Sequence, residues 1–256
     1  MVEADSLDVV HEGPTVHVVL NRPAARNAVD LALCTSLRDV FAALDADPDV
    51  RVVLVSGRGP SFCAGADLKE RKGKDAAWVR RRRLASFAAY AAIEACSKPV
   101  ISLLHGSVVG SGGEIAMASD FAVGSSDTNF RFPEAHWGTV GATQRLQRVI
   151  GKRRAKELLF TNRVMPAEEA ERVGLLVRVV PPDALMATGR AMAEKIAAAP
   201  PLSMALTKRA IDLGSETDLD RGIRIEMSAI EQNLAGGEWR TGVDGFLAAH
   251  NGTSTQ

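Results

Sequence analysis

Glu114 and Glu134, twenty positions apart, are the two residues of this 256-residue chain best suited by type to share acid and base work. Glu114 follows Gly110-Ser111-Gly112-Gly113 and opens a helix-forming stretch, Ile115-Ala116-Met117-Ala118. A glycine cluster running into a helix leaves backbone N–H groups free and aims the positive end of the helix dipole at whatever approaches. Glu134 closes Phe130-Arg131-Phe132-Pro133-Glu134, and two carboxyl groups brought together by a fold can divide proton donation and acceptance. Spacing alone favours a plainer reading, two surface carboxylates, one of them near a helix start. A second glycine loop upstream overturns it.

In that loop the β-branched run Val52-Val53-Leu54-Val55 ends in Ser56-Gly57-Arg58-Gly59-Pro60, and small residues lead on to Asp67, Leu68 and Lys69. As a dinucleotide fingerprint it fails, because Phe62 stands where the third glycine belongs. The segment Phe62-Cys63-Ala64-Gly65-Ala66-Asp67-Leu68-Lys69 fits something else. Taken in order with Lys98-Pro99-Val100-Ile101, Gly106, the Gly110 to Glu114 run, Ala118-Ser119-Asp120, Pro133-Glu134 and Thr143-Gln144-Arg145-Leu146, it resembles the crotonase family, the enoyl-CoA hydratases and isomerases. The resemblance starts at Leu20-Asn21-Arg22-Pro23 with Asn27-Ala28 and extends to Gly242 and Phe246. No single piece is highly specific, but the ordered set is.

The resemblance implies an α/β crotonase-like ββα spiral core over residues 1–199, carrying an acyl-CoA site, and a C-terminal helical oligomerisation region over 200–256. It also implies an enoyl-CoA hydratase in which the backbone N–H groups of Ala66 and Ser111 form an oxyanion hole around the thioester oxygen. Small residues there let the substrate approach the backbone closely. Glu134 would protonate the α-carbon, while Glu114 orients and deprotonates the water attacking the β-carbon. Isomerases and several other branches keep one carboxylate, so the presence of both favours hydration. CoA would be held by Arg26, Ala64, Asp67, Leu68 and Lys69, with Phe246 reaching in from a neighbouring subunit of a homotrimer or dimer of trimers. CoA is part of the substrate, and no metal or redox cofactor is expected.

The chain departs from the family's pattern in several places. Position 111 is usually glycine. The lysine that usually follows the C-terminal phenylalanine is missing, and the loop over residues 138–145 is shorter than usual. Arg131, His136 and Trp137 are uncommon beside the glutamate; they either bind a polar acyl group or fill the space left by the shorter loop, and packing is the favoured reading.

Rival chemistries fit less well. Ser111 as a hydrolase nucleophile with His105 or His136 as base would need glycine where Val109 stands. The run Arg80-Arg81-Arg82-Arg83 raises an RNA-binding member of the family as an alternative. Four successive helical residues point in four directions, however, and favour a solvated face with one arginine near the nucleotide. An isomerase or hydratase-lyase of the same family stands as the enzymatic alternative.

Placing these groups requires alternating elements. Val16–Leu20, Val52–Val55 and Val100–Leu104 read as strands, and Leu31–Asp45 and Trp78–Cys96 as helices, which argues for α/β architecture. Beyond Pro200-Pro201 the pattern becomes helix after helix, Leu202–Leu213 and Leu219–Leu234, with Asn251–Gln256 as a frayed tail. At 46% hydrophobic and 24% charged the chain can bury a full core. Its 31 basic and 31 acidic residues cancel, which gives no footprint for nucleic acid or a membrane surface. Cys34, Cys63 and Cys96 read as reduced core thiols. The acidic N-terminus lacks the features of a signal peptide and no apolar run approaches the roughly 20 residues of a membrane span, so the cytoplasm is the expected compartment.

Overall fold

The computed structural model describes residues 6–251. In chain order the elements are β1 (Leu7–Glu12), β2 (Thr15–Leu20), α1 (Leu31–Ala46), β3 (Val52–Gly57), α2 (Ala76–Ala95), β4 (Val100–Leu104), β5 (Ser107–Val109), α3 (Ser111–Ala118), β6 (Phe121–Ser125) and β7 (Asn129–Arg131). They continue with α4 (Thr143–Ile150), α5 (Lys152–Thr161), β8 (Met165–Pro166), α6 (Ala167–Arg172), β9 (Arg178–Val180), α7 (Leu185–Ala197), α8 (Pro201–Ser215), α9 (Leu219–Gly236) and α10 (Glu238–Asn251). A six-stranded sheet has the order β1-β2-β3-β4-β6-β9, parallel except for β1, and a small sheet has the order β5-β7-β8.

The expected α/β spiral is visible in how successive units repeat. β4, β5 and α3 form one turn: a strand in the large sheet, a short strand in the small one, then a helix. β6, β7 and α4 form the next. β3 and α2 enclose a third, in which residues 61–63 bridge to Gly106 and Val108 in place of a full strand. The expected strands at 16–20, 52–55 and 100–104 are the central parallel members, buried along almost their whole length. Alternation sorts their side chains between two helical layers. Val53 and Val55 join the main core with Leu33, Phe41 and Ile93 of α1 and α2, whereas Val52 and Leu54 pack with Leu185 and Ala193 of α7.

The long helices begin where a carboxylate can accept from the exposed first turn. Asp30 accepts from Leu33 N at 2.8 Å to open α1, Asp75 from Trp78 N at 2.7 Å to open α2, and Asp218 from Arg221 N at 3.0 Å to open α9. Of the expected tail, Asn251 closes α10 and 252–256 lies outside the described residues. Among the described residues no helix is long and apolar enough to cross a membrane. Cys34, Cys63 and Cys96 are free and buried, as expected of core thiols, and burial pushes the Cys63 thiol up to about 12.

Candidate active site

Two glycine loops meet because the chain after β3 runs alongside β5. Phe62 N donates to His105 O, Cys63 N to Ser107 O, and Val109 N returns to Cys63 O, at 2.9, 3.2 and 2.9 Å. Contact this close excludes side chains: a Cβ on Gly112 would stand 2.7 Å from the Cys63 carbonyl oxygen. The outcome is a cleft whose walls include Gly65, Ala66, Gly110, Ser111 and Glu134. Among the described residues, the N–H groups of Ala66 and Ser111 have no acceptor within the protein. That of Ser111 is free because it opens α3, whose first turn has no intrahelical acceptor. Burial pushes the Tyr90 phenol of α2 up, and the neighbouring Ser111 hydroxyl opposes that shift.

Asn27 and Arg22 supply the frame for the first loop. The buried Asn27 amide donates to the carbonyls of Arg58, Ser61 and Phe62 at 2.9, 2.9 and 3.1 Å, and its own oxygen accepts from Arg22 N. Arg22 Nη2 reaches Asp30 at 2.9 Å and Asp67 at 3.1 Å. These contacts give the Asn21-Arg22-Pro23 and Asn27-Ala28 segments a positioning role.

The two carboxylates are held in different ways. Glu114, on α3 and 6% exposed, accepts from Ala142 N through Oε1 at 2.9 Å and from Arg145 Nη1 through Oε2 at 3.0 Å. Arg145, on α4, is itself gripped by Glu94 of α2 through two bonds of 2.6 Å. Glu134, in the 3₁₀ turn Glu134–Trp137, has a buried Oε2 with no hydrogen-bond partner. Burial, reinforced by the charge of Glu114 and opposed by Arg83, holds the Glu134 carboxyl above its ordinary value. One carboxylate is thus fixed in an ion pair, while its neighbour carries a raised proton affinity and a free oxygen. Such a pair can hold a water and pass a proton in either direction.

Comparison with known proteins shows the family. Residues 12–252 match the family model described as enoyl-CoA hydratase/isomerase. The chain belongs to the enoyl-CoA hydratase/isomerase family. It is 33% identical to a short-chain-enoyl-CoA hydratase of Clostridium acetobutylicum, with 96% of each chain covered. It is 35% identical to a crotonyl-CoA hydratase of Syntrophomonas wolfei, over 89% of each. Among solved structures, an enoyl-CoA hydratase from Bacillus anthracis superposes with a TM-score of 0.93 at 33% identity, covering 95% of this chain and 96% of that one.

Against the family's expected CoA contacts the structure is selective. Arg26, Leu68 and Lys69 are exposed and near the first loop. Two expected contacts are altered. The Ala64 N–H already donates to Arg26 O at 2.9 Å, which leaves only its carbonyl for a ligand. Asp67 accepts from Arg22 and from Lys69 N at 3.0 Å, and so braces the loop from within. The Phe246 side chain lies outside the described residues.

Arg131 and His136 face away from the cleft. Arg131 donates to Asn162 Oδ1 at 2.9 Å and His136 to Phe160 O at 2.7 Å, tying β7 and the Glu134 turn to α5, so packing is their role. Trp137 lies on the cleft wall. The shortened loop puts Ala142 against Glu114 and Gly141 against Glu134.

The arginine run of α2 is not a uniformly solvated face. Arg80 and Arg81 are exposed, but Arg82 is 1% exposed, donating to Glu70 Oε1 and Ser86 Oγ at 2.6 Å each and to Val29 O. Arg83 reaches the cleft and donates to Thr139 Oγ1 at 2.5 Å. Of the four, one thus belongs to the interior and another to the cleft wall. Sequence reasoning missed Arg71 as a cleft residue, did not single out Arg83 within the arginine run, and quoted Arg145 within a motif without giving it a role. The only signal in the chain was that the Thr143-Gln144-Arg145-Leu146 motif lay at family spacing.

Proposed function

We propose that the protein is an enoyl-CoA hydratase that adds water across the 2,3 double bond of an enoyl-CoA thioester. The observation that carries this reading is the pairing, on one cleft wall, of two unbonded N–H groups with Glu134, whose proton affinity is raised by burial and by the nearby charge of the Arg145-anchored Glu114. The Ala66 and Ser111 N–H groups would bind the thioester oxygen and stabilise the enolate that develops as the β-carbon is attacked. Glu114, anchored by Arg145 and Ala142, would accept a proton from the water whose oxygen bonds to the β-carbon. Glu134, with its raised proton affinity, would deliver a proton to the α-carbon. One water is consumed, its hydroxyl ending on the β-carbon and a proton on the α-carbon, and the proton taken up by Glu114 passes back to Glu134 to reset the pair.

Leu68, Lys69 and Arg26 line the approach for CoA in this reading, and the Ala64 carbonyl remains as an acceptor. The exposed face of α9, with Leu219, Ile223, Met227, Ile230 and Leu234 at helical spacing, supports a homotrimer or dimer of trimers. The cytoplasm, where acyl-CoA substrates are supplied, is the proposed compartment.

The test is hydration of crotonyl-CoA by the wild type, Glu114→Gln, Glu134→Gln and the double variant. Each single change should lower kcat by about 10²–10⁴-fold, and the double change should cost little more, because either loss disables the same water. Near-normal hydration by Glu114→Gln, with Glu134→Gln inactive, would replace the two-carboxylate mechanism with hydration carried by Glu134 alone; double-bond migration in a 3-enoyl-CoA without hydration of crotonyl-CoA would replace this reading with an isomerase.

A further inference from the structure

We propose that Arg71 and Arg83 form an anion subsite in the cleft that selects enoyl-CoA substrates whose acyl chain carries a distal carboxylate. The inference rests on the hydratase reading and names the substrate class of the same site. Arg71 ends the 3₁₀ turn Lys69–Arg71, and Arg83 lies on the second turn of α2; both line the cleft with Glu134, Trp137 and Thr139.

Among the described residues, neither arginine forms an ion pair. The Nε of Arg71 is buried without any acceptor. Glu70, beside Arg71 in the chain, is occupied: Oε1 accepts from Arg82 at 2.6 Å and Oε2 from Leu31 N at 3.0 Å. Asp67 is occupied by Arg22 and Lys69 N. Glu134 and Arg83 flank Gly141, where a Cβ would meet Glu134 Cγ at 2.9 Å and Arg83 Nη1 at 3.4 Å, yet they do not pair.

A guanidinium is the group best shaped to grip a carboxylate with two parallel hydrogen bonds, and an orphaned buried donor is costly unless a ligand satisfies it. Arg71 is also desolvated beside the charges of Arg82 and Arg83, which depress its proton affinity and which a bound anion would relieve. A neutral short acyl chain offers nothing for these donors. The remaining anion in the substrate is CoA phosphate. Arg83 is bonded to Thr139, and both arginines line the same cleft as Ser111 and Glu134. Both therefore belong to the reacting end of the cleft.

The decisive comparison holds CoA constant and varies only the acyl terminus. Glutaryl-CoA and butyryl-CoA are titrated calorimetrically, and hydration of glutaconyl-CoA and crotonyl-CoA is followed, for the wild type, Arg71→Gln, Arg83→Gln and Arg83→Lys. Wild type should favour the carboxylated member of each pair by about tenfold or more, the scale of one hydrogen bond to a charged group. Each Gln variant should bring that ratio towards one, and Arg83→Lys should keep part of it. Equal wild-type affinity for the two thioesters overturns the subsite, as does an equal loss for both in the Gln variants, which would assign the arginines to CoA phosphate. Brisk hydration of crotonyl-CoA without charge preference removes the subsite and leaves the hydratase reading intact. Tight, arginine-dependent glutaryl-CoA binding without hydration of either enoyl-CoA keeps the subsite and removes the hydratase.

Discussion

Gly110→Ala tests the site's geometry without touching a catalytic side chain. Gly110 sits at φ 47° and ψ −104°, between β5 and α3, and an added Cβ would stand 2.5 Å from Glu134 Oε1. An ordinary carbon–oxygen contact is about 3.3 Å, so the Glu134 carboxylate must retreat by about 0.8 Å. Displacing a reacting group by about 1 Å costs on the order of 10²-fold in rate. The backbone conformation adds strain of roughly 1–3 kcal/mol for a residue with a side chain, which for a chain of this size lowers Tm by about 2–10 °C. The assay is kcat/KM for crotonyl-CoA hydration at a temperature well below the melt, with Tm measured alongside. The Gly110→Ala change should cost about 10²-fold in wild type and much less in the Glu134→Gln background, where the displaced group is already disabled. A variant within about threefold of wild-type kcat/KM would refute the argument that this glycine exists to make room for Glu134.

The other expectations are independent of that glycine. Folding raises the Glu134 carboxyl above 4.5, chiefly through burial, so its contribution to stability is full below the unfolded value and is lost as pH rises through the folded one. Glu134→Gln should therefore melt above wild type at neutral pH, with the gap closing on acidification through pH 4.5; a pH-independent gap would contradict the sign. Arg145→Met leaves Glu114, 8% exposed in its side chain, without its cation, and should cost roughly 3 kcal/mol in urea unfolding, an unchanged midpoint counting against the ion pair. The apolar stripe of α9 should hold the protein as a trimer or larger in sedimentation at micromolar concentration, whereas a 27.2 kDa species would overturn the oligomer.

The chain by itself determined the chemistry that depends on local backbone. Ala66 and Ser111 followed from the resemblance carried by the ordered glycine-rich motifs, and the local reason for it is that small residues expose the backbone in both segments and a helix starts at Ser111. The buried parallel strands were equally legible, because Val16–Leu20, Val52–Val55 and Val100–Leu104 are long enough to show their apolar character. β5, β7, β8 and β9 escaped notice because two or three residues carry no period.

Tertiary structure decided every pairing between distant side chains. Arg80, Arg81, Arg82 and Arg83 are identical in sequence, and only the packing of α2 against α1 and the cleft makes one a buried strut and another a cleft cation. Asp67 looked available to CoA until Arg22, forty-five residues earlier, claimed it. Glu114 and Glu134 are the same residue type, and their difference comes from Arg145 and Ala142 holding one while burial leaves the other with a free oxygen. Residue type fixes what a group can donate or accept, but proton affinity and direction depend on neighbours that only the folded chain brings within reach.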